Sequence, residues 1–200
     1  MVETAQERIA MGERLRIGED EGRRALLVDG VIVSVAVEGQ EPPSGYWAAM
    51  LPDGSPRSAL LLGLGGGTLA QLLSRRYPRI QMVGVDCDEE LIGFALLHFD
   101  LALPNLEIVI GDAFGYVERC ERSFDFVAVD LFAGYQLQRA VLAKPFLRRL
   151  KAMVGRGGEV TFNLFKDRRA EQHLHRIGLV QRVCRVDRVG KNVVVHCRGS

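Results

Sequence analysis

The sequence predicts a doubly wound α/β domain: a mostly parallel, seven-stranded sheet ending in an antiparallel hairpin, with a small β-region ahead of it. Three observations carry this. From Ala59 onward, short apolar runs alternate with stretches of helical periodicity. Those runs are apolar at successive rather than alternate positions, as strands covered on both faces must be. The last two runs are joined by a turn too short for a crossover, so they pair antiparallel.

Upstream of the alternation, Ala25–Val28 and Val31–Val35 are β-rich runs joined by Asp29-Gly30, a pair suited to a type I′ turn in which both residues need positive φ. They read as a hairpin. Glu41-Pro42-Pro43-Ser44-Gly45 and Pro52-Asp53-Gly54-Ser55-Pro56 read as loops, because proline cannot donate to a ladder. A boundary is expected at residue 58, dividing a small region (1–58) from the main domain (59–200). Within the latter, strands are expected at Ala59–Leu64, Gln81–Asp86, Leu106–Ile110, Phe124–Asp130 and Glu159–Asn163. Helices are expected at about Thr68–Arg76, Glu89–Phe99, Ala113–Cys120 and Pro145–Met153, and from near Asp167. Leu91, Ile92, Ala95, Leu96 and Phe99 form the stripe that packs one helix on the sheet. Leu179–Val186 and Asn192–Cys197, joined by Asp187–Lys191, form the closing hairpin.

Composition narrows the function classes. The 200 residues include 48% hydrophobic and 26% charged side chains, enough for one packed domain and incompatible with disorder. A balance of 26 basic against 25 acidic residues gives no field to gather nucleic acid or anionic lipid. No apolar run approaches the roughly 20 residues that span a bilayer, and Met1-Val2-Glu3-Thr4 does not begin a secretory signal, so a cytoplasmic location is expected. Cys87, Cys120, Cys184 and Cys197 lack metal-knuckle spacing and read as ordinary thiols. His173 and His175 fall about 200° apart on a helix, a solvated face and not a metal pair. No metal is expected.

In such a sheet, ligands bind outside the carboxyl ends of the strands. Gly63-Leu64-Gly65-Gly66-Gly67-Thr68 follows the first of them, where bare backbone can approach a ligand and the next helix can present unpaired N–H groups to a polar or anionic group. Thr68 departs from the dinucleotide fingerprint G-x-G-x-x-G, and the spacing is closer to the nucleoside loop of class I methyltransferase-like proteins. Asp86, about 20 residues on, can accept both hydroxyl protons of a ribose, or cap the next helix, for which Asp88 is better placed. Asp112 can accept from the exocyclic amine of adenine while a neighbouring N–H donates to the ring, or it can cap a helix; the two roles are compatible. Asp130 ends the fourth strand, beside the reactive end of a ligand held at Asp86, where it can take a proton from an attacking amine, balance a sulfonium, or only organise its loop.

Gly63–Thr68, Val83-Gly84-Val85-Asp86, Gly111-Asp112-Ala113, Phe124–Asp130 and Gly190–Val195 together resemble spermidine synthases and their spermidine synthase-like relatives. Leu27-Val28-Asp29-Gly30-Val31 and Gly45-Tyr46-Trp47 extend the resemblance over residues 25–197. It implies a Rossmann-like methyltransferase fold, a homodimer, and a donor that is S-adenosylmethionine or its decarboxylated form. The implied donor contacts are Gly63, Gly65, Gly66, Gly67, Asp86, Cys87, Asp112 and Ala113, with Asp130 helping to deprotonate the acceptor nitrogen for a one-step displacement without metal or covalent intermediate. The acceptor half departs from the family. Ala133 stands where a second acid of a D-S-S-D-like loop would be, Tyr46-Trp47-Ala48 replaces Tyr-His-Glu, and Val33 replaces a glutamine. A dicationic amine needs carboxylates to replace its water. The expectation is therefore a transferase that is not a standard polyamine synthase, acting on a small-molecule acceptor of the amine class or another, with methyl and aminopropyl transfer equally open. Tyr46, Trp47, Phe132 and Tyr135 line a more apolar acceptor pocket, or else pack between the two regions. The alternatives are a non-catalytic S-adenosyl-nucleoside-binding or dimer-partner module and, disfavoured by Thr68 and Asp112, a nicotinamide-dependent oxidoreductase.

Overall fold

The computed structural model describes residues 14–39, 45–134 and 136–199. Met1–Thr4, most of the proline loop at 41–45, and Tyr135 lie outside the described residues. The chain opens with an antiparallel three-stranded sheet, β1 (Leu15–Asp20), β2 (Arg23–Val28) and β3 (Val31–Val35). Asp29 and Gly30 take φ of 47° and 78°, as the hairpin reading requires. β1 has no counterpart in the sequence reading, because Leu-Arg-Ile-Gly-Glu-Asp carries too little apolar alternation to announce a strand. A one-turn helix, α1 (Tyr46–Ala49), follows and was likewise not expected.

The main sheet then alternates as predicted: β4 (Ser58–Leu62), α2 (Thr68–Arg76), β5 (Gln81–Asp86), α3 (Glu89–His98), β6 (Leu106–Ile110), α4 (Ala113–Arg119) and β7 (Phe124–Val129). A two-stranded excursion, β8 (Phe132–Ala133) with β9 (Gln136–Leu137), leads to α5 (Lys144–Met153), β10 (Val154–Phe165), α6 (Ala170–Gly178), β11 (Arg182–Val189) and β12 (Asn192–Arg198). The order across the sheet is β11-β12-β10-β7-β4-β5-β6. β10, β7, β4, β5 and β6 run parallel, and β12 pairs antiparallel with both β10 and β11. This is the expected seven-stranded architecture. Three boundaries are corrected. The last hairpin starts at Arg182 and not at Leu179, because the turn that closes α6 runs through Gln181; its own turn shrinks to Gly190-Lys191 because the ladder continues through Val189; and β10 starts five residues early, across a bulge in its register with β7.

Alternation along the central strands feeds two cores. Ala59, Leu61, Phe126, Ala128 and Val194 face one side, where Leu26, Leu27 and Val35 of the small sheet pack with α2 and α3. Leu60, Leu62, Val127, Val129 and Phe162 face the other, under α4, α5 and α6. Each fully buried side chain of this size contributes ~1.5–3 kcal/mol, so the small sheet is fixed by the core it shares with α2 and α3. Arg14 adds a polar clamp, reaching from the start of β1 to Asp88 at 2.6 Å and Glu90 at 2.6 Å on α3. Among the described residues no helix is long and apolar enough to cross a membrane.

Candidate active site

Strand order reverses between β4 and β7: the chain runs β4, β5, β6 to one side of β4 and then places β7 on the other. The crevice at that switch point is where a ligand is expected. With neighbouring strands ~4.8 Å apart, the ends of β6, β5, β4 and β7 set Asp112, Asp86, the glycine loop and Asp130 along a line of about 15 Å.

Gly63 sits at the switch. A Cβ there would lie 2.2 Å from the Asp130 carbonyl oxygen, and φ is 86°, so only glycine allows the two strand ends to meet. Gly66 is required by the hairpin, since a Cβ would come within 2.7 Å of Leu26 and Ser34, and Gly67 by Leu101. The loop amides are satisfied internally. Gly63 donates to Val85 O, Leu64 and Gly65 both donate to Asp86 Oδ2 at 2.9 Å, Gly66 donates to Ser34 Oγ at 2.8 Å, and Gly67 to Leu64 O. Thr68 ties the loop to β3 through both backbone groups of Val35. The amide donors of residues 63–67 are thus spent on the fold.

Asp86 consequently has a structural duty that sequence reasoning missed. Oδ2 takes two loop amides and Oδ1 takes the amide of Asp88 at 3.0 Å, which leaves about one of a carboxylate's four lone-pair sites. It can still accept one ribose hydroxyl, not two. Asp88 caps α3 by accepting from Leu91 N, as expected. Cys87 is exposed beside Asp86, and Ile110, the cross-strand partner of Asp86, leaves an apolar surface on the same face. Asp112 caps α4 by accepting from Gly115 N at 2.7 Å, its carboxylate remains exposed, and Ala113 is buried behind it.

Asp130 is the most perturbed carboxyl in the crevice. Withdrawal from water pushes it up to about 6, against the opposing pull of two hydrogen bonds, while the charge of Asp86 adds to the rise. The bonds come from Asn163 Nδ2 to Oδ1 at 2.8 Å and from the Tyr46 hydroxyl to Oδ2 at 2.9 Å. Asn192 Nδ2 in turn holds Asn163 Oδ1 at 2.9 Å. Burial beside this carboxylate drives the Tyr46 hydroxyl well above the ordinary phenol range, so it stays a donor. Asn163 and Asn192 had no sequence signal. Of the aromatics, Tyr46 contributes a polar contact, Trp47 is packed into the core, in keeping with the packing alternative, and Phe132 lies edge-on to Phe165.

The Spermine/spermidine synthase domain model matches residues 18–186. The chain belongs to the spermine/spermidine synthase family. A polyamine aminopropyltransferase of Chromobacterium violaceum is 27% identical over 173 residues, 82% of this chain and 66% of that protein. The chain spans about half to two thirds of the length of such bacterial relatives. A probable spermidine synthase from Corynebacterium glutamicum superposes with a TM-score of 0.78 at 22% identity, covering 92% of this chain and 76% of that one. Human methyltransferase-like protein 13, solved in complex with SAH, superposes at 0.66 with 20% identity and 72% coverage of both chains. The fold is therefore that of the family and is shared with S-adenosyl-dependent methyltransferases. Among the described residues, no three His, Cys, Asp or Glu side chains are grouped to hold a metal ion. His173 and His175 lie on α6. Cavities of about 330 Å³ and 390 Å³ open beside α5 and α6, lined respectively by Lys144, Arg148 and Lys151 and by Glu171, His175 and Arg176. Neither is at the strand ends.

Proposed function

We propose that this family member transfers a carbon group from S-adenosylmethionine or decarboxylated S-adenosylmethionine to a nucleophile, with Asp130 as general base. The observation that carries the reading is the Asp130 carboxyl, held at about 6 between Tyr46 and Asn163 at the switch point. A base of that strength is ionised at neutral pH yet still basic enough to take a proton. Support for an adenosine beside it comes from Asp86 Oδ1 for a ribose hydroxyl, Asp112 for the exocyclic amine and the exposed Ile110 for the purine face. The reaction then balances simply. The acceptor's lone pair forms the new bond to the carbon next to sulfur, the carbon–sulfur pair returns to sulfur as a neutral thioether, and the displaced nitrogen proton goes to Asp130. Tyr46 and Asn163 hold Asp130 in place, so alignment is built before the acceptor arrives.

The acceptor is not a standard diamine in this reading, because Ala48 and Val33 bring no charge to its side. Isothermal calorimetry with S-adenosylmethionine, its decarboxylated form and NAD, followed by transfer of a labelled methyl or aminopropyl group to candidate amines, tests the proposal. Binding of an S-adenosyl donor with transfer lost in Asp130→Asn supports it; no donor binding sinks it. One observation favours a second reading, a non-catalytic nucleoside-binding module. The glycine loop satisfies its own amides through Asp86 and needs no ligand to be ordered. Donor binding without transfer to any acceptor selects that reading.

A further inference from the structure

Beneath α1, on the face of β10, β11 and β12, lies a buried polar group that the proposed chemistry does not use. Glu159, Thr161 and His196 are 6%, 0% and 0% exposed. His196 Nδ1 is 2.5 Å from Glu159 Oε1, and its Nε2 is 2.7 Å from Arg185 Nη2. A carboxylate only accepts, so Nδ1 donates to Glu159, whereas Nε2 lies among the Arg185 guanidinium and two acceptors, Ala49 O at 2.9 Å and Asp187 Oδ2 at 3.4 Å. Arg185 is itself held by Asp187 at 2.9 Å and by Asp53, and Arg198 lies 3.7 Å from Asp53. Asp53 also donates its amide to Glu159 Oε2.

This cluster ends on a backbone carbonyl. Ala49 O lies 2.9 Å from His196 Nε2 and 3.4 Å from Arg185 Nη2, which donates to it. Ala49 is the last residue of α1, and the first is Tyr46, whose hydroxyl grips Asp130. A helix of one turn has no stability of its own and takes its position from tertiary contacts. α1 has no side-chain cap at Gly45, so Tyr46 on Asp130, Trp47 in the core and Ala49 on the cluster are what seat it.

We propose that His196, braced by Glu159 and Arg185, is a positioning residue that seats the C-terminal end of α1 and so keeps the Tyr46 hydroxyl on Asp130. The effect on turnover rests on the reading of Asp130 as base; the effect on α1 does not. Trp47 is the chain's single tryptophan and sits inside α1, stacked on Tyr46 at 4.4 Å, so its fluorescence reports the helix without any assay of activity.

The test compares His196→Asn with His196→Gln. Asparagine keeps the donor to Glu159 and loses the contact to Arg185, whereas glutamine puts an amide where Nε2 was. In the full chain, His196→Asn is expected to red-shift Trp47 emission and raise its acrylamide quenching. It is also expected to raise the midpoint of Asp130 in a carboxyl-carbon NMR titration assigned with Asp130→Asn. His196→Gln is expected to stay near wild type in both. S-adenosyl donor affinity should stay within about twofold in both variants, as the donor contacts are remote, while turnover in His196→Asn falls about tenfold. Two variants that shift alike would reduce His196 to a packing residue, and an unmoved Trp47 and Asp130 in a folded His196→Asn protein overturn the proposal outright. Should His196→Asn not fold, Arg185→Gln removes the same contact from a partly exposed position and is read by the same two signals. An inactive wild type leaves both spectroscopic comparisons standing, so failure of the transferase reading is seen separately.

Discussion

Replacing Asp130 by asparagine asks whether the chain holds an acid at the switch point against its own solvation. The folded state raises this carboxyl to about 6 from an ordinary 3.8, so between those values the native protein keeps a proton that the unfolded chain has already released. A native state that binds the extra proton loses stability as pH rises through that window, and above about 6 the loss is complete and constant. Some two units at 1.36 kcal/mol each give a cost of ~3 kcal/mol at neutral pH, and the carboxylate's residual exposure trims it toward ~2. Asparagine keeps the outline, can still accept from Asn163 and can donate to the Tyr46 oxygen, yet carries no charge. At pH 7 the variant should therefore be more stable than wild type by about 2 kcal/mol, or ~4–8 °C in Tm, with the gap closing toward pH 4. Thermal unfolding followed by circular dichroism at half-unit steps from pH 4 to 8 measures this. A variant no more stable than wild type at pH 7, or a gain that persists undiminished at pH 4, would falsify the account of Asp130 as a desolvated acid.

Tyr46→Phe removes one of the two bonds that oppose the rise of Asp130, so the acid limb of the transfer rate should move up by about one pH unit, a shift visible in kcat/KM against pH. An unmoved limb would mean that Asp130 is not the group titrating. Asp86→Ala strands the amides of Leu64 and Gly65, and urea unfolding should show a loss of about 2 kcal/mol even without ligand; unchanged stability would show that the loop finds other partners. Gly63→Ala drives a methyl against the Asp130 carbonyl at positive φ and should cost about 2–5 kcal/mol, while Gly65→Ala, whose Cβ meets nothing nearer than 3.4 Å, should cost about 1. Equal losses at the two positions would undo the close-approach argument.

Which parts of this could be read from the chain follows from how local their causes are. Apolar runs between helical stretches are local, and the helix at Thr68–Arg76 and the strands at Gln81–Asp86 and Leu106–Ile110 have the expected ends. β1 escaped because only Leu15 of its six residues is fully buried, and β10 begins ahead of the expected Glu159 because Val154 pairs with Phe124 of β7, a contact made far along the chain. Asp86, Asp112 and Asp130 were legible as strand-end acids, and Asp112 as a helix cap, but the partners of Asp86 and Asp130 were not. Which lone pairs of Asp86 stay free depends on where the glycine loop folds back, and that is set by Ser34 and Leu26 on a hairpin about 30 residues upstream in the chain.

The Asp130 environment shows the same limit more sharply. Tyr46 and Asn163 lie 84 and 33 residues from it in sequence, and neither has a spacing that points to the other. They meet because β10 adds beside β7 in a register that pairs Phe162 with Val129, which sets Asn163 next to the strand end, while β12 supplies Asn192 opposite Phe165 to hold the amide. Sliding β10 by one residue would turn Asn163 to the opposite face of the sheet and leave Asp130 with Tyr46 alone. The same strand places Glu159, Thr161 and Asn163 on one face, two residues apart in turn, so a single register supports both the hydrogen bond to Asp130 and the Glu159–His196 cluster. The environment of Asp130 is in this sense a property of the β7–β10–β12 pairing more than of any motif.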